Sequence, residues 1–163
     1  MNDIIIREIE KNEIDKLEDM LYEAIYQPDI NNPIPRDVIK IPKVYAYIDN
    51  FGKSKDDYCF VADLNGRIIG AVWVRIITGK IKGFGNVDKK TPEFAISLFK
   101  EYRNQGIGTR MMKKMITYLQ KCGYEQASLS VQKENYAVRL YKKVGFEIIG
   151  EDNKDYLMLL KLN

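Results

Sequence analysis

The 163-residue sequence predicts a single α/β domain over residues 1–163, in which a mixed β-sheet carries helices on both faces. Short apolar runs typical of strands alternate with amphipathic helical segments. The dipeptide Asn65-Gly66, which is favoured in two-residue hairpin turns, separates two β-rich runs. The segment RNQGIG, residues 103–108, joins an apolar strand to an amphipathic helix.

The N-terminal part predicts a strand, a helix and an irregular segment. Residues 4–9 are rich in isoleucine and predict the strand, and Asn12 is suited to cap the helix that follows. Four of the five prolines lie in residues 28–42, where they end this helix and break the chain into short helical pieces, one of which starts at Pro42. Because loops on a rigid scaffold often carry selectivity, we expect this segment to select the substrate.

The remaining sequence predicts six strands and two helices. The helices begin at Ile107 and near Asn135, and glycines at 123 and 145 end them. The predicted strands are residues 58–64, 67–77, 93–100, 126–131, 146–150 and 156–162.

Composition excludes several classes of function. The chain has no histidine, which excludes histidine metal sites and nucleophiles activated by a histidine base. Its two cysteines, Cys59 and Cys122, form no CxxC pair, so no metal is expected. A net charge of +3 and the lack of a long apolar run give no reason to expect nucleic-acid or membrane binding. The N-terminus does not resemble a signal peptide, so we expect a cytoplasmic location.

The turn RNQGIG has the features of an anion-binding site. Gly106 and Gly108 let the backbone approach a ligand, and the first N–H groups of the next helix favour an anion. Arg103 and Arg110 add positive charge. A P-loop would need GxxxxGK followed by Ser or Thr, and a dinucleotide fingerprint would need glycine in place of Met111. We therefore predict a pyrophosphate site, with a purely structural turn as the alternative.

Two segments of the chain resemble the GNAT superfamily of acetyltransferases. The stretch AISLFKEYRNQGIGTRMM is similar to the family's acetyl-CoA-binding segment, whose pattern is Arg or Gln, two residues, Gly, any residue, then Gly or Ala. Arg103, Gly106 and Gly108 match that pattern. Downstream, NYAVRLYKKVGF resembles the family's other cofactor-side element, so the resemblance covers roughly residues 93–150.

The resemblance implies a twisted, mostly antiparallel sheet of about six to seven strands with a splayed central parallel pair. Residues 93–100 and 126–131 would form that pair. Backbone N–H groups of residues 105–109 would hold the CoA pyrophosphate, and the main chain of the entering strand would pair with the pantetheine arm. Lys100, Arg110, Lys113 or Lys114 could reach the ribose phosphate. The implied cofactor-binding residues are Ile96, Leu98, Arg103, Asn104, Gln105, Gly106, Ile107, Gly108, Thr109, Arg110, Asn135 and Tyr141.

The resemblance also implies two catalytic residues. Tyr141 occupies the family's general-acid position, where a phenol can protonate the departing thiolate, although its apolar helix face is equally typical of a core tyrosine. Glu93 lies near the position of the glutamate that serves some members as general base. Asp88, Glu101 or a water chain are the alternatives to Glu93.

We therefore predict an N-acetyltransferase that moves an acetyl group from acetyl-CoA to a primary amine by direct attack. The acceptor would be a small-molecule amine or a peptide N-terminus, and the protein a monomer or homodimer. The alternative is a non-catalytic acyl-CoA-binding or regulatory domain. Six aromatic residues could line an amine pocket: Tyr22, Tyr26, Tyr45, Tyr47, Tyr58 and Trp73.

Overall fold

The computed structural model describes residues 3–163, and within this range the chain forms seven strands and four α-helices. No helix in this range is both long and apolar enough to cross a bilayer. The strands are β1 (Ile4–Glu8), β2 (Tyr58–Leu64), β3 (Arg67–Arg75), β4 (Glu93–Leu98), β5 (Gln126–Gln132), β6 (Glu147–Glu151) and β7 (Asp155–Lys161). The α-helices are α1 (Leu17–Ala24), α2 (Pro42–Tyr45), α3 (Ile107–Lys121) and α4 (Ala137–Val144). Short 3₁₀ helices span Lys11–Lys16, Arg36–Lys40 and Lys100–Tyr102.

The strands form one sheet in the order β1-β2-β3-β4-β5-β7-β6. Strands β4 and β5 are parallel, and the other neighbouring pairs are antiparallel. The predicted hairpin at Asn65-Gly66 joins β2 to β3, and both turn residues have the positive φ that this turn requires. The prediction of a mixed, mostly antiparallel sheet with one central parallel pair is confirmed.

Strands β4 and β5 separate almost as soon as they meet. Their pairing is confined to Glu93 opposite Ser128, whose N–H donates to the Pro92 carbonyl at 3.0 Å. In a strand, the N–H and C=O groups of every second residue point to the same side. Those of residues 96 and 98 therefore point to the same side as the carbonyl of Pro92, toward β5. The N–H of Phe99 points the other way, toward β3, where it donates to the Ile69 carbonyl at 3.0 Å. Within residues 3–163, the second half of β4 therefore has no strand beside it on this edge, where the Leu98 carbonyl accepts a bond from Arg103 Nε.

The sheet separates two apolar clusters. Side chains of β4 alternate between its faces, so Phe94 and Leu98 pack in the cluster that includes α3 and α4, while Ala95 packs on the face of α1 and α2. The buried Ser97 also lies on this second face, where its hydroxyl is 3.5 Å from the Met20 sulfur. Glu93 precedes Ala95 and Ser97 by two and four residues, so it lies on the same face of β4 as they do. The strand before residues 103–108 therefore supplies side chains to both faces of the sheet.

Several predicted boundaries differ from the structure. Asn12 does not cap a helix, because Glu10 occupies the N-cap of the 3₁₀ helix Lys11–Lys16 and Glu13 accepts the Glu10 N–H at 2.9 Å. Strand β3 ends at Arg75, so residues 76–77 of the predicted strand lie in the loop that follows. The strand predicted to reach Lys100 ends at Leu98, because the 3₁₀ helix Lys100–Tyr102 intervenes before the turn.

The predicted capping of the last helix is confirmed. The Asn135 side-chain oxygen accepts the N–H of Ala137, the first residue of α4, at 2.9 Å. Gly145 ends α4 in the left-handed conformation, with φ 115°.

Candidate active site

A groove of about 1250 Å³ opens beside the unpaired edge of β4, between the end of α1 and the starts of α3 and α4. It is lined by most of the residues that the resemblance assigned to cofactor binding. These are Ile96, Leu98, Arg103, Asn104, Gly106, Gly108, Thr109, Asn135 and Tyr141.

The turn before α3 presents its backbone to this groove. Asn104 and Gly106 have φ 63° and 84°, which is the left-handed region that glycine adopts freely and asparagine tolerates. The first α-helical bond of α3 is donated by the Arg110 N–H to the Gly106 carbonyl, at 3.1 Å. The N–H groups of residues 107–109 therefore have no intrahelical partner. The Ile107 side chain is buried in the core, so this residue offers the groove only its backbone.

The polar side chains of the turn form hydrogen bonds and an ion pair within the protein. Arg103 Nε donates to the Leu98 carbonyl at 2.8 Å, and its Nη2 lies 3.8 Å from the Glu23 carboxylate. Arg110 donates to the Ile4 carbonyl of β1 at 2.9 Å. Gln105 donates to the carbonyl of Glu101 at 3.3 Å. An anion at this turn would therefore be held chiefly by the N-terminal N–H groups of α3 and the helix dipole.

Further positive charge lines the groove from two elements. Lys100 lines it from the 3₁₀ helix before the turn, whereas Lys113 and Lys114 are exposed on α3 and do not line it. Sequence reasoning missed Arg139 and Lys143 of α4, which also line the groove. Their spacing of four residues places them on one face of a helix, and that signal was present in the sequence.

The groove fits a CoA molecule on three counts. The helix N-terminus suits a pyrophosphate, the open edge of β4 suits the amides of a pantetheine arm, and the surrounding cations suit further phosphate. A Cβ added to Gly106 would meet nothing within 4 Å, so the backbone there is open to a ligand.

Tyr141 is both a core residue and a groove residue. It is 9% exposed, and its ring packs edge-on to Phe146 with centroids 6.1 Å apart. Burial raises the pKa of its phenol to about 12, so the hydroxyl stays protonated at neutral pH and can donate. The apolar face of α4 thus orients a proton donor toward the groove.

Glu93 lies beyond the groove, at the point where β4 and β5 separate. It is 3% exposed, and its Oε1 accepts hydrogen bonds from the Tyr47 hydroxyl at 2.7 Å and the Gly85 N–H at 2.9 Å. Burial raises the pKa of this carboxyl, while both hydrogen bonds and the charge of Lys43 act in the opposite direction. A raised pKa makes a carboxylate a stronger base than an ordinary exposed glutamate.

The two alternative carboxylates have different surroundings. Asp88 is exposed and accepts bonds from the Lys90 N–H and the Thr91 hydroxyl, both at 2.8 Å, and these bonds lower its pKa. Glu101 is exposed at the rim of the groove. Of the three carboxylates, Glu93 is the buried one.

The aromatic residues proposed for an amine pocket are dispersed. Tyr22 and Tyr26 line the groove, and Tyr22 donates to the Ile34 carbonyl, which ties α1 to the proline-rich segment. Tyr47 contacts Glu93. The other three lie away from the groove: Tyr45, Tyr58 and Trp73.

Known proteins resemble this chain in sequence. An N-alpha-acetyltransferase of Sulfurisphaera tokodaii is 28% identical over 126 residues, which cover 73% of this chain and 75% of that protein. An N-alpha-acetyltransferase of Sulfolobus acidocaldarius is 31% identical over 106 residues, covering 63% of this chain and 62% of that protein.

Solved structures share the fold. A GNAT-family acetyltransferase from Streptococcus pneumoniae superposes with a TM-score of 0.71 at 23% identity, covering 99% of this chain and 100% of that one. The PaiA N-acetyltransferase of Thermoplasma acidophilum, solved in complex with coenzyme A, superposes with a TM-score of 0.67 at 19% identity, covering 98% and 99%. The sequence model of the Acetyltransferase (GNAT) family matches residues 22–146. The chain therefore belongs to the acetyltransferase (GNAT) family.

Proposed function

We propose that the protein transfers an acetyl group from acetyl-CoA to a primary amine by direct attack, with both substrates bound together. The observation that carries the proposal is the groove in which the open edge of β4, the N-terminus of α3 and the Tyr141 ring converge. Acetyl-CoA, when bound, supplies an activated thioester. The lack of histidine agrees with direct attack, because no imidazole is available to activate a nucleophile of the protein.

On the donor side, the N–H groups of residues 105–109 bind the pyrophosphate and the β4 edge orients the pantetheine arm. Main-chain N–H groups along β4 face the reacting carbonyl and stabilise negative charge that develops on its oxygen. Tyr141 donates its proton to the leaving sulfur. The long groove supplies proximity, since both substrates lie in one cleft.

On the acceptor side, we propose that Glu93 receives the proton that the amine must lose. The buried carboxyl, with its raised pKa, supports this role. We further propose that the acceptor is the α-amine of a peptide. Two sequence relatives are named N-alpha-acetyltransferases, and one structural neighbour is a ribosomal-protein-S18-alanine N-acetyltransferase. An α-amine has a pKa near 8, compared with about 10.4 for a lysine side chain, so it needs less help from a base.

Two measurements test the proposal. Calorimetry with acetyl-CoA measures donor binding, and thiol release across a panel of peptides and small amines, including spermidine, measures transfer. We expect binding, and turnover that is greatest with a peptide. Absence of binding contradicts the function, whereas binding without turnover on any amine favours the non-catalytic acyl-CoA-binding domain.

A further inference from the structure

Tyr47 connects the buried carboxylate to the loop that covers it. Its hydroxyl donates to Glu93 Oε1 at 2.7 Å and accepts the N–H of Phe84 at 2.9 Å. The rings of Tyr47 and Phe84 stack with centroids 6.4 Å apart and planes 13° apart. The Lys43 ammonium lies 4.6 Å from the centroid of the Phe84 ring. One phenol therefore contacts both Glu93 and the loop.

The backbone around Tyr47 is fixed to the sheet. Trp73 of β3 donates its indole N–H to the Tyr47 carbonyl at 3.0 Å. Arg75 Nη1 donates to the carbonyls of Ala46 and Asp49, at 2.9 and 2.8 Å. Arg75 of β3 is the antiparallel partner of Glu93 on the neighbouring strand β4. The hydroxyl of Tyr47 is therefore held in place relative to Glu93 by the strand next to β4.

The loop residues 83–85 pack tightly against the Glu93 side chain and β5. A Cβ at Gly83 would lie 2.1 Å from Glu93 Oε2, and a Cβ at Gly85 would lie 2.9 Å from the carbonyl carbon of Leu129 on β5. The Ser128 hydroxyl donates to the Gly85 carbonyl at 2.7 Å. Because β5 leaves β4 at Ser128, the loop residues 83–85 cover the carboxylate where the two strands part.

We propose that Tyr47 is a positioning residue, which fixes the orientation of the Glu93 carboxylate and holds residues 83–85 over it. This inference rests on the proposed function, because it assumes that Glu93 serves as the base. The Tyr47 hydroxyl stabilises the ionised carboxylate, which would otherwise hold its proton more tightly in this buried site. Tyr47 does not exchange a proton with the substrate.

The charged groups around Glu93 are few. Lys43 of α2 is the cation whose charge acts on the carboxylate. Arg75 faces Glu93 from β3, but its guanidinium is paired with Asp57 at 2.9 and 3.1 Å. The loop contributes the Gly85 N–H, and β5 contributes the uncharged Ser128 hydroxyl. Removal of the Tyr47 hydroxyl thus removes one of two direct donors to Glu93.

The test is a pH titration of Glu93 in the free protein. It is monitored by NMR of protein labelled with ¹³C at the glutamate carboxyls. Glu93→Gln identifies the signal. We expect Tyr47→Phe, which keeps the stacked ring, to raise the titration midpoint of Glu93 by about one pH unit. Tyr45→Phe, a matched change in α2 beside it, leaves the midpoint where it is in the wild type. An unchanged or lowered midpoint in Tyr47→Phe overturns the proposal.

A second measurement needs no Tyr47 variant and remains valid even if that variant folds poorly. In wild-type protein labelled with ¹³C at the tyrosine Cζ, the Tyr47 signal should shift at the midpoint of Glu93, and this response should disappear in Glu93→Gln. A Tyr47 chemical shift that does not change at the midpoint of Glu93 contradicts the proposed contact.

Kinetics separate this proposal from the proposed function. With acetyl-CoA and an accepted peptide, Tyr47→Phe should move the acid limb of kcat/KM to higher pH and leave acetyl-CoA affinity within about twofold. A uniform loss of rate with an unmoved limb indicates a structural role only. If no amine is acetylated by the wild type, the proposed function fails, while the two titrations still report on the Tyr47 contact.

Discussion

The donor and acceptor sides of the site are assembled in different ways. The proposed anion site of the donor side is local, because residues 103–109 form a turn and the first turn of α3, and their backbone N–H groups would bind the anion. The proposed acceptor side combines Tyr47 with residues 83–85 and Glu93. Gly85 precedes Glu93 by only eight residues, whereas Tyr47 precedes it by 46 and meets it through the packing of the sheet. A local backbone site can be found from a short motif. A site made of side chains from distant segments depends on the packing of the whole domain.

The largest expected effect is on the donor side. Gly108→Arg places a long side chain in the groove, where even a Cβ would lie 3.3 Å from Leu140. We expect acetyl-CoA affinity to fall by about 1000-fold, equivalent to about 4 kcal/mol, as measured by calorimetry. Thr117→Arg, which adds the same charge on an exposed position of α3, is the control. Equal affinities in the two variants would mean that the turn does not hold the cofactor.

The next effect tests how the acceptor side is held together. Arg75 and Asp57 form a buried ion pair, with side chains 10% and 0% exposed. Arg75→Ala leaves Asp57 without its cation and should lower the free energy of unfolding by about 3–5 kcal/mol in urea denaturation. The control is Arg36→Ala, whose pair with Asp19 is about half exposed and should contribute at most about 1 kcal/mol. Similar losses in both variants would show that the buried pair does not support the segment carrying Tyr47.

Glu93→Gln tests the proposed base. We expect kcat to fall by about 100- to 1000-fold with a peptide acceptor while acetyl-CoA affinity is retained. The base acts when it is deprotonated, so wild-type activity should rise with pH through the pKa of Glu93, which burial raises above the ordinary glutamate value of 4.5. Glu93→Gln should lack this rise of activity with pH. Asp88→Gln and Glu101→Gln are the controls, and a larger loss in either would transfer the role to that residue.

Tyr141→Phe should have the smallest effect of the four. A thiolate is a fair leaving group without a proton, so we expect kcat to fall by about 10- to 100-fold with little change in acetyl-CoA affinity. Because the pKa of Tyr141 is raised to about 12, the wild type should show no loss of activity from this residue below about pH 11. Tyr136→Phe, at the exposed neighbour that also lines the groove, is the control. Unchanged turnover in Tyr141→Phe would remove the general-acid role.

Sequence patterns found the elements of the fold more readily than their ends. The hairpin at Asn65-Gly66, the start of α3 after Gly106 and the cap at Asn135 were all predicted, because each depends on residues adjacent in sequence. The predicted cap at Asn12 was wrong, since Glu10 and Glu13 form a reciprocal cap that starts a 3₁₀ helix first. Arginine roles were equally hard to predict. Arg110 bonds the carbonyl of Ile4, and nothing in the local sequence indicates that β1 lies beside α3.

By itself the sequence determined the family, the mixed sheet and the donor turn, because glycine positions and apolar periodicity act over a few neighbouring residues. The setting of Glu93 was decided only by the tertiary structure. Its burial, the hydroxyl of Tyr47 and the N–H of Gly85 come from three segments, and their meeting follows from how β3, β4 and β5 pack. Burial raises the pKa of this carboxyl while the two hydrogen bonds lower it, and all three influences exist only once the chain has folded.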